Sequence, residues 1–412
     1  LGEGVQFVHE YLMQEVLSQV PPAFASLLIE TSILDRFCAP LCDALHMSEG
    51  RPVEDEAGGQ AFIEWLEKTH LFVVPLDEIH IWFRYHHLFQ QLLQNQLEDR
   101  YGPQEVATLH SRAGSWCAEN GLIREAIQHD LAAGDTAGAV DLFGLKRQSV
   151  LNDDKWYVLE KWLPLFPDAI IEKQPELLIA RTWVLYHHFQ FLSILSGLDT
   201  IESRLKNETE DQSFYGEFYF FSGFCSYFLN DGPKSLEHSQ AAIDRIPLTH
   251  HEVRGQAELV FGLTCQMEGQ KENAIHKLND LIYGDPPPHN LRKTRLLVSL
   301  VYIHIISADP AEAFKANKEL MEVATTGDYA YAKVWSIYLQ GLISFYGGEF
   351  EDAVHDLSQT LADRYKYVLH TRAAVDSMAG LAFAHQFIGQ PDRADATIES
   401  LFKFAGELND PA

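Results

Sequence analysis

Small residues recur in near-identical surroundings at Ser196, Ser235, Ala274, Ala313, Ala353 and Ala394, in steps of 39, 39, 39, 40 and 41 residues. Each is preceded by one apolar helical stretch and followed by another, as in "GLISFYGGEFEDAVHDL" at 341–357. No other feature constrains the fold as strongly. One such unit cannot bury its own apolar face, so successive units must stack, and the outcome is a solenoid.

Within 341–357, Gly341, Phe345, Ala353 and Leu357 occupy the positions of the tetratricopeptide pattern: small residue, aromatic, then Ala-x-x-x-Leu. Two repeats also keep a closing proline, with Gly223 followed 24 residues later by Pro247 and Gly262 by Pro286, again 24. The small residue of the first helix and the alanine of the second are expected to meet where the helices cross, because bulk there would push them apart. A standard unit of this kind has about 34 residues. These are longer, so extended helices or loops such as "YGDPPPHN" at 283–290 are expected. In such a superhelix the first helix of each pair lines the concave wall. Counting from its small residue, wall positions lie six and three before it and one or four after it. That selects Glu217 and Phe220; Gln256; Arg295 and Tyr302; Trp335 and Tyr338; and Asp376 with Phe383 as effector-binding candidates. Aromatic faces beside Glu, Gln, Arg and Asp suit a small polar ligand or a peptide. The competing reading makes these aromatics inter-repeat core.

Upstream the register is lost. "HSRAGSWCAENGLIREAIQHDLAAGD" at 110–135 reads as one more helix pair, with Gly114 and Ala126 in the same relation. Residues 155–186 read as an irregular helical connector broken near Pro167 and Pro175. The first hundred residues differ again: helices at 7–20, 21–34 and 35–45, an acidic loop at 47–60, and a helix at 61–70. Two short strands then flank Asp77-Glu78, with Ile79, Ile81, Phe83 and Tyr85 alternating with His80, Trp82 and Arg84. Pro75 makes the first strand an edge. The expected fold is therefore mainly all-α. A winged-helix-type module with one β-hairpin (1–100) precedes a helical connector (101–180) and a right-handed tetratricopeptide-like α-solenoid (181–412).

A formal charge of −28 on 412 residues argues against binding phosphate backbones. The best basic cluster, "NLRKTR" at 290–295, reads as a solvated helix start, so no nucleic acid is expected to bind this chain. Five scattered cysteines, Cys38, Cys42, Cys117, Cys225 and Cys265, read as buried free thiols in a reducing compartment. Cys38 and Cys42 stand one helical turn apart but lack a second ligand pair for zinc. The histidine doublets His187-His188 and His250-His251 lack a third ligand, and "HEYLM" at 9–13 misses the H-E-x-x-H zinc motif because Met13 replaces its second histidine. No metal site and no catalytic set are expected, so the chain reads as a non-enzyme. No signal peptide is visible, and the most apolar stretches, such as "LLVSLVYIHII" at 296–306, are too short for a bilayer. The expected location is cytoplasmic, away from membranes.

"LLIETSILDRFCAPLCDAL", "FRYHHLFQQLLQNQL" and "GLIREAIQHDLAAGDTAGAVDLF" resemble the MalT-like, LuxR-type ATP-dependent transcription regulators, which are signal-transduction ATPases with numerous domains (STAND proteins). The resemblance covers most of the chain and is most specific in 5–143. It implies an N-terminal nucleotide-binding domain, a winged helix, a helical sensor solenoid and a DNA-binding helix-turn-helix. It also implies self-association driven by inducer on the solenoid and ATP on the ATPase. This sequence contains no G-x-x-x-x-G-K-[ST] phosphate loop and no DNA-reading domain, and looks like the interior of a larger regulator. No cofactor is expected in this chain; ATP or ADP is expected only with the nucleotide-binding domain. The implied function is the signal-sensing and self-association region of a transcription regulator, taking a small-molecule inducer or regulatory protein on the concave face. The alternative is a tetratricopeptide scaffold for a protein or peptide partner. In STAND proteins a winged-helix histidine contacts the phosphates of bound ADP. "YHHL" occupies the matching strand-to-helix position, which implies nucleotide sensing by His86 in the intact protein, with His87 where an aspartate usually follows.

Overall fold

The computed structural model describes residues 20–46, 58–69, 72–208, 211–363 and 371–407. The expected helix at 7–20 (save Val20), the "HEYLM" segment at 9–13 and most of the acidic loop at 47–60 lie outside these residues. The chain forms two compact units, divided between Phe143 and Gly144.

The first unit opens with helices α1 (Pro22–Glu30), α2 (Ala39–His46) and α3 (Gly59–Thr69). Strands β1 (Val73–Pro75) and β2 (Phe83–Tyr85) then lead into α4 (His87–Arg100). The strands pair antiparallel with Val73 opposite Tyr85 and Pro75 opposite Phe83, and Phe37 bridges to Phe83 from the other side. The paired stretch is shorter than the alternation in the sequence. Phe83 and Tyr85 are buried, whereas Ile79 and Ile81 are exposed. The cause is Asp77, whose carboxylate accepts the backbone N–H groups of Ile81 and Trp82 at 2.8 and 3.0 Å. That holds the residues between the strands in a turn before pairing begins. Leu28, Phe37, Phe62, Phe83, Phe89 and Leu93 fill the core beneath. The buried Tyr85 hydroxyl shares a 2.7 Å hydrogen bond with Thr31 Oγ1, so its polar tip is satisfied there. Helices α5 (Pro103–Glu119) and α6 (Ile123–Ala132) form the pair expected at 110–135. A side chain at Gly114 would collide with Asp130, beside the fully buried Ala126.

Helix α7 (Thr136–Asn152) runs across the division, and the second unit continues with two short pieces, α8 (Tyr157–Trp162) and α9 (Asp168–Ile171). Six helix pairs follow: α10 (Pro175–His187) with α11 (Phe191–Glu208), α12 (Gln212–Phe228) with α13 (Gly232–Arg245), and α14 (His251–Met267) with α15 (Lys271–Tyr283). The last three are α16 (Asn290–Ile306) with α17 (Pro310–Thr326), α18 (Ala330–Gly347) with α19 (Phe350–Asp363), and α20 (Thr371–Phe387) with α21 (Pro391–Glu407).

The turn inside each pair carries one residue in the left-handed region: Phe189, Asn230, Gly269, Ala308, Gly348 and Gly389. Five residues after each comes a buried position: Ile194, Ser235, Ala274, Ala313, Ala353 and Ala394. The N–H of that position closes the first turn of the second helix by bonding back four residues, as from Ile194 to Gln190 and from Ala353 to Glu349. This corrects the first repeat. Ser196 is exposed, and Ile194, two residues earlier, holds the buried site. A serine at the right distance for a repeat was the misleading signal. The crossing itself is also one turn displaced. Cβ atoms built on Gly223 and Gly341 would lie 2.8 Å from Ser239 Oγ and 2.7 Å from Leu357 Cδ2, so each glycine packs on the residue four after the alanine position. Ser235 contributes differently, donating from Oγ to the Gly223 carbonyl at 2.9 Å.

All five cysteines are free and buried. Among the described residues no helix is long and apolar enough to cross a membrane, and no group of three or more His, Cys, Asp or Glu side chains is placed to hold a metal ion.

Candidate functional site

The first helices of the six pairs turn one side toward a cavity of about 500 Å³ in the second unit. Seven residues from the wall count line it: Gln256, Arg295, Tyr302, Trp335, Tyr338, Asp376 and Phe383. They come from α14, α16, α18 and α20, so stacking the pairs brings together residues far apart in sequence.

Aromatic rings make most of one side. Trp335 meets Tyr338 edge-on at 5.5 Å between ring centres, Tyr331 at 6.1 Å and Tyr302 at 6.2 Å. The Tyr302 hydroxyl donates to that of Tyr338 at 3.3 Å, and Tyr338 donates to Asp376 Oδ2 at 3.1 Å. Arg372 Nε donates to the same carboxylate oxygen at 2.9 Å. The Arg372 guanidinium also lies over the rings of Phe189 and Phe228, 5.5 and 5.2 Å from their centres. Burial pushes the Tyr331 and Tyr338 phenols well above their usual range.

An internally paired polar network adjoins these rings, the Arg295 guanidinium lying over Tyr331 at 5.1 Å from its ring centre. Tyr186 donates from its hydroxyl to Gln256 Oε1 at 2.9 Å, and Gln256 Nε2 donates to Glu252 Oε1 at 2.8 Å. Arg295 Nε donates to Glu252 Oε2 at 2.9 Å, and its Nη2 donates to Asp154 Oδ1 at 2.6 Å. Asp154 reaches this position from the end of α7 with a left-handed backbone, φ 61°. Burial pushes its carboxyl up to about 7, with the Glu252 charge adding to the rise and Arg295 opposing it. Next to it, Arg292 holds Glu258 through two bonds of 2.7 and 2.6 Å. Both arginines of "NLRKTR" are thus buried in ion pairs, which corrects the reading of that cluster as a solvated helix start.

Two candidates fall elsewhere. Glu217 is fully buried and takes a two-pronged bond from Arg147, at 2.7 and 2.8 Å, plus the Trp183 indole N–H at 2.5 Å. Phe220 stacks on Trp183, ring centres 5.0 Å apart and planes within 9°. At this end of the solenoid the two wall positions of α12 that precede Gly223 face α7 and α10 and become core. The wall count also misses Tyr331 and Arg372, each one helical turn before a residue it selects, and extending it by a turn finds both. Phe224 and Tyr227, one and four after Gly223, are lining residues outside the candidate set even though the same spacing reaches them.

Residues 13–106 match the family model of the MalT winged helix domain. Over that module the chain is similar to MalT. The MalT transcriptional regulators of Klebsiella pneumoniae and Cronobacter sakazakii are 26% and 27% identical to it over 276 and 286 residues, or 66% and 68% of this chain. A serine/threonine-protein kinase, PknK of Mycobacterium tuberculosis, is 34% identical over 183 residues, 44% of this chain. These matches span only 16% of the kinase and 29–30% of the MalT regulators. A crystal structure of a STAND protein with a tetratricopeptide repeat sensor, from Pyrococcus horikoshii, superposes with a TM-score of 0.59 at 12% identity, covering 96% of this chain and 58% of that one. At that identity the likeness establishes the fold: a winged helix followed by a helical-repeat solenoid.

His86 is the residue before α4, where its N–H donates to the Phe72 carbonyl at 2.7 Å and its carbonyl opens the helix. Its side chain is exposed, caps nothing, and lies beside His87 with ring centres 4.8 Å apart. The doublet is therefore neither buried packing nor a side-chain cap.

Proposed function

We propose that this chain is the signal-sensing region of a cytoplasmic, ATP-dependent transcription regulator, and that its inducer occupies the aromatic cavity of the solenoid. The observation that carries the reading is the cavity itself. Its volume of about 500 Å³ lies within the range of small-ligand sites, and its lining combines stacking faces with a few fixed polar groups. A preformed chamber of this kind favours a small molecule over an extended peptide, which would need an open groove. Self-association, and ATP or ADP bound by a nucleotide-binding domain of the intact regulator, belong to the same proposal; this chain itself needs no cofactor.

The test is a thermal-shift screen of small metabolites against the wild-type chain and Trp335→Ala. At least one compound class should raise the wild-type melting temperature and leave the variant unmoved. A chain stabilised by no compound, or equally with and without Trp335, would sink the reading.

The exposed start of α4 also supports a phosphate contact at His86 in the intact protein, because a helix N-terminus attracts anions. His86→Ala should then loosen an ADP-bound resting state and raise inducer-independent activity, with His87→Ala doing less. Equal basal activity in wild type and His86→Ala would remove His86 from that role.

A further inference from the structure

The charged and amide groups named around the cavity are bound to one another or to their neighbours, with one exception. Arg295 is held by Glu252 and Asp154, Gln256 by Tyr186 and Glu252, and Asp376 by Tyr338 and Arg372. The exception is Arg372. Only its Nε is used, toward Asp376, and among the described residues its two terminal nitrogens have no hydrogen-bond partner. Its side chain keeps 41% of its exposure, and it rests on Phe189 and Phe228. Much of the rest of the lining is carbon: Leu259, Leu263, Ile305, Leu342 and Phe345 among others.

A polyhydroxylated ligand requires many unengaged donors and acceptors, and this wall offers few. A cation would have to displace Arg372 from Asp376. An apolar molecule ending in a carboxylate matches what remains: the body fills the carbon surface, and the planar acid meets a guanidinium with donors to spare. From this geometry we infer that the cavity takes an amphipathic carboxylic acid, with its head group on Arg372. The inference rests on the proposed sensing role of the cavity and names the ligand class.

Calorimetric titration of the 412-residue chain with decanoate, decanol and decylamine, below their aggregation limits, tests it. Wild type should bind decanoate at one site, decanol at least about tenfold more weakly, and decylamine not measurably. In Arg372→Gln, decanoate should fall to the decanol level while decanol binding is unchanged. The retained decanol binding shows that the variant is folded with its cavity intact. Decanol binding wild type as tightly as decanoate, or decanoate binding unaffected by Arg372→Gln, overturns the acid assignment. If none of the three binds but the metabolite screen returns a ligand that depends on Trp335, the ligand class is wrong and the sensing cavity stands. Decanoate binding equally to wild type and Trp335→Ala places it outside the cavity and ends the inference.

Discussion

Arg295 and Asp154 stand 141 positions apart in the chain and 2.6 Å apart in space. The guanidinium serves two buried carboxylates, since Glu252 also bonds it, and the second oxygen of Asp154 has no hydrogen-bond partner among the described residues. One positive charge therefore faces two acids where water cannot help, and burial together with the Glu252 charge pushes the Asp154 carboxyl up to about 7.

This makes a pH prediction. An unfolded aspartate titrates near 4, so between about pH 4 and 7 the folded chain holds a proton that the unfolded chain has released. The stability from this group is present at low pH and is lost as pH rises through about 7. Asp154→Asn should accordingly resemble wild type at pH 5 and be the more stable of the two at pH 8. Urea unfolding at both pH values measures it. An equal loss at pH 5 and 8 would make Asp154 an ordinary salt-bridge partner.

The repeat register gives a second test. Ile194 is buried and Ser196 exposed, so Ile194→Ala should cost roughly 2–5 kcal/mol. Ser196→Ala should stay within about 0.5 kcal/mol. At the fully buried Ala353, a phenylalanine should overpack the core and cost roughly 1–3 kcal/mol. The reverse order for Ile194 and Ser196 in denaturant unfolding would restore the even spacing read from the sequence.

Glu217 should prove structural. Glu217→Ala strands Arg147 without its partner in the interior and should cost about 3–5 kcal/mol. Trp183 fluorescence should change with it, because the indole N–H loses its acceptor. Cavity ligands should bind the folded fraction with unchanged affinity; a loss of affinity at constant folded fraction would return Glu217 to the site.

The turns inside the pairs make a backbone prediction. Gly348 has φ +84° with open space around it, so Gly348→Ala should cost about 1–2 kcal/mol through conformation alone. Ala308 holds the same kind of turn at φ 56° without that freedom, and Ala308→Gly should be neutral or stabilising by up to about 1 kcal/mol. Thermal melts of the two variants should move in opposite directions, or the Ala308 melt should stay still.

Periodicity made the solenoid legible because burial recurs at one position of every repeat. It also located Arg295, Trp335, Tyr338 and Asp376, since helices stacked in register present equivalent positions to a common space. It failed where register alone does not decide the neighbours. Glu217 and Phe220 occupy wall positions, but at that end α7 and α10 cover the wall. Asp154 lies outside the repeat and reaches Arg295 only through the fold. The basic cluster at 290–295 gave no sign of its partners, because Glu252 and Glu258 lie on another helix, about forty residues back in the chain. The hairpin was overextended for a local reason, the two bonds to Asp77 that precede the pairing.

In an open stack each unit touches only its neighbours, and units can be gained or lost at little cost. Arg372 makes this stack different, because it lies on Phe189 and Phe228 and so fastens the sixth pair to the first and second. The row thus curves back on itself around the cavity. Inserting or deleting one repeat would carry Arg372 past the rings it rests on and change the size of the cavity. Unlike that of an open stack, the repeat number here is a dimension of the cavity.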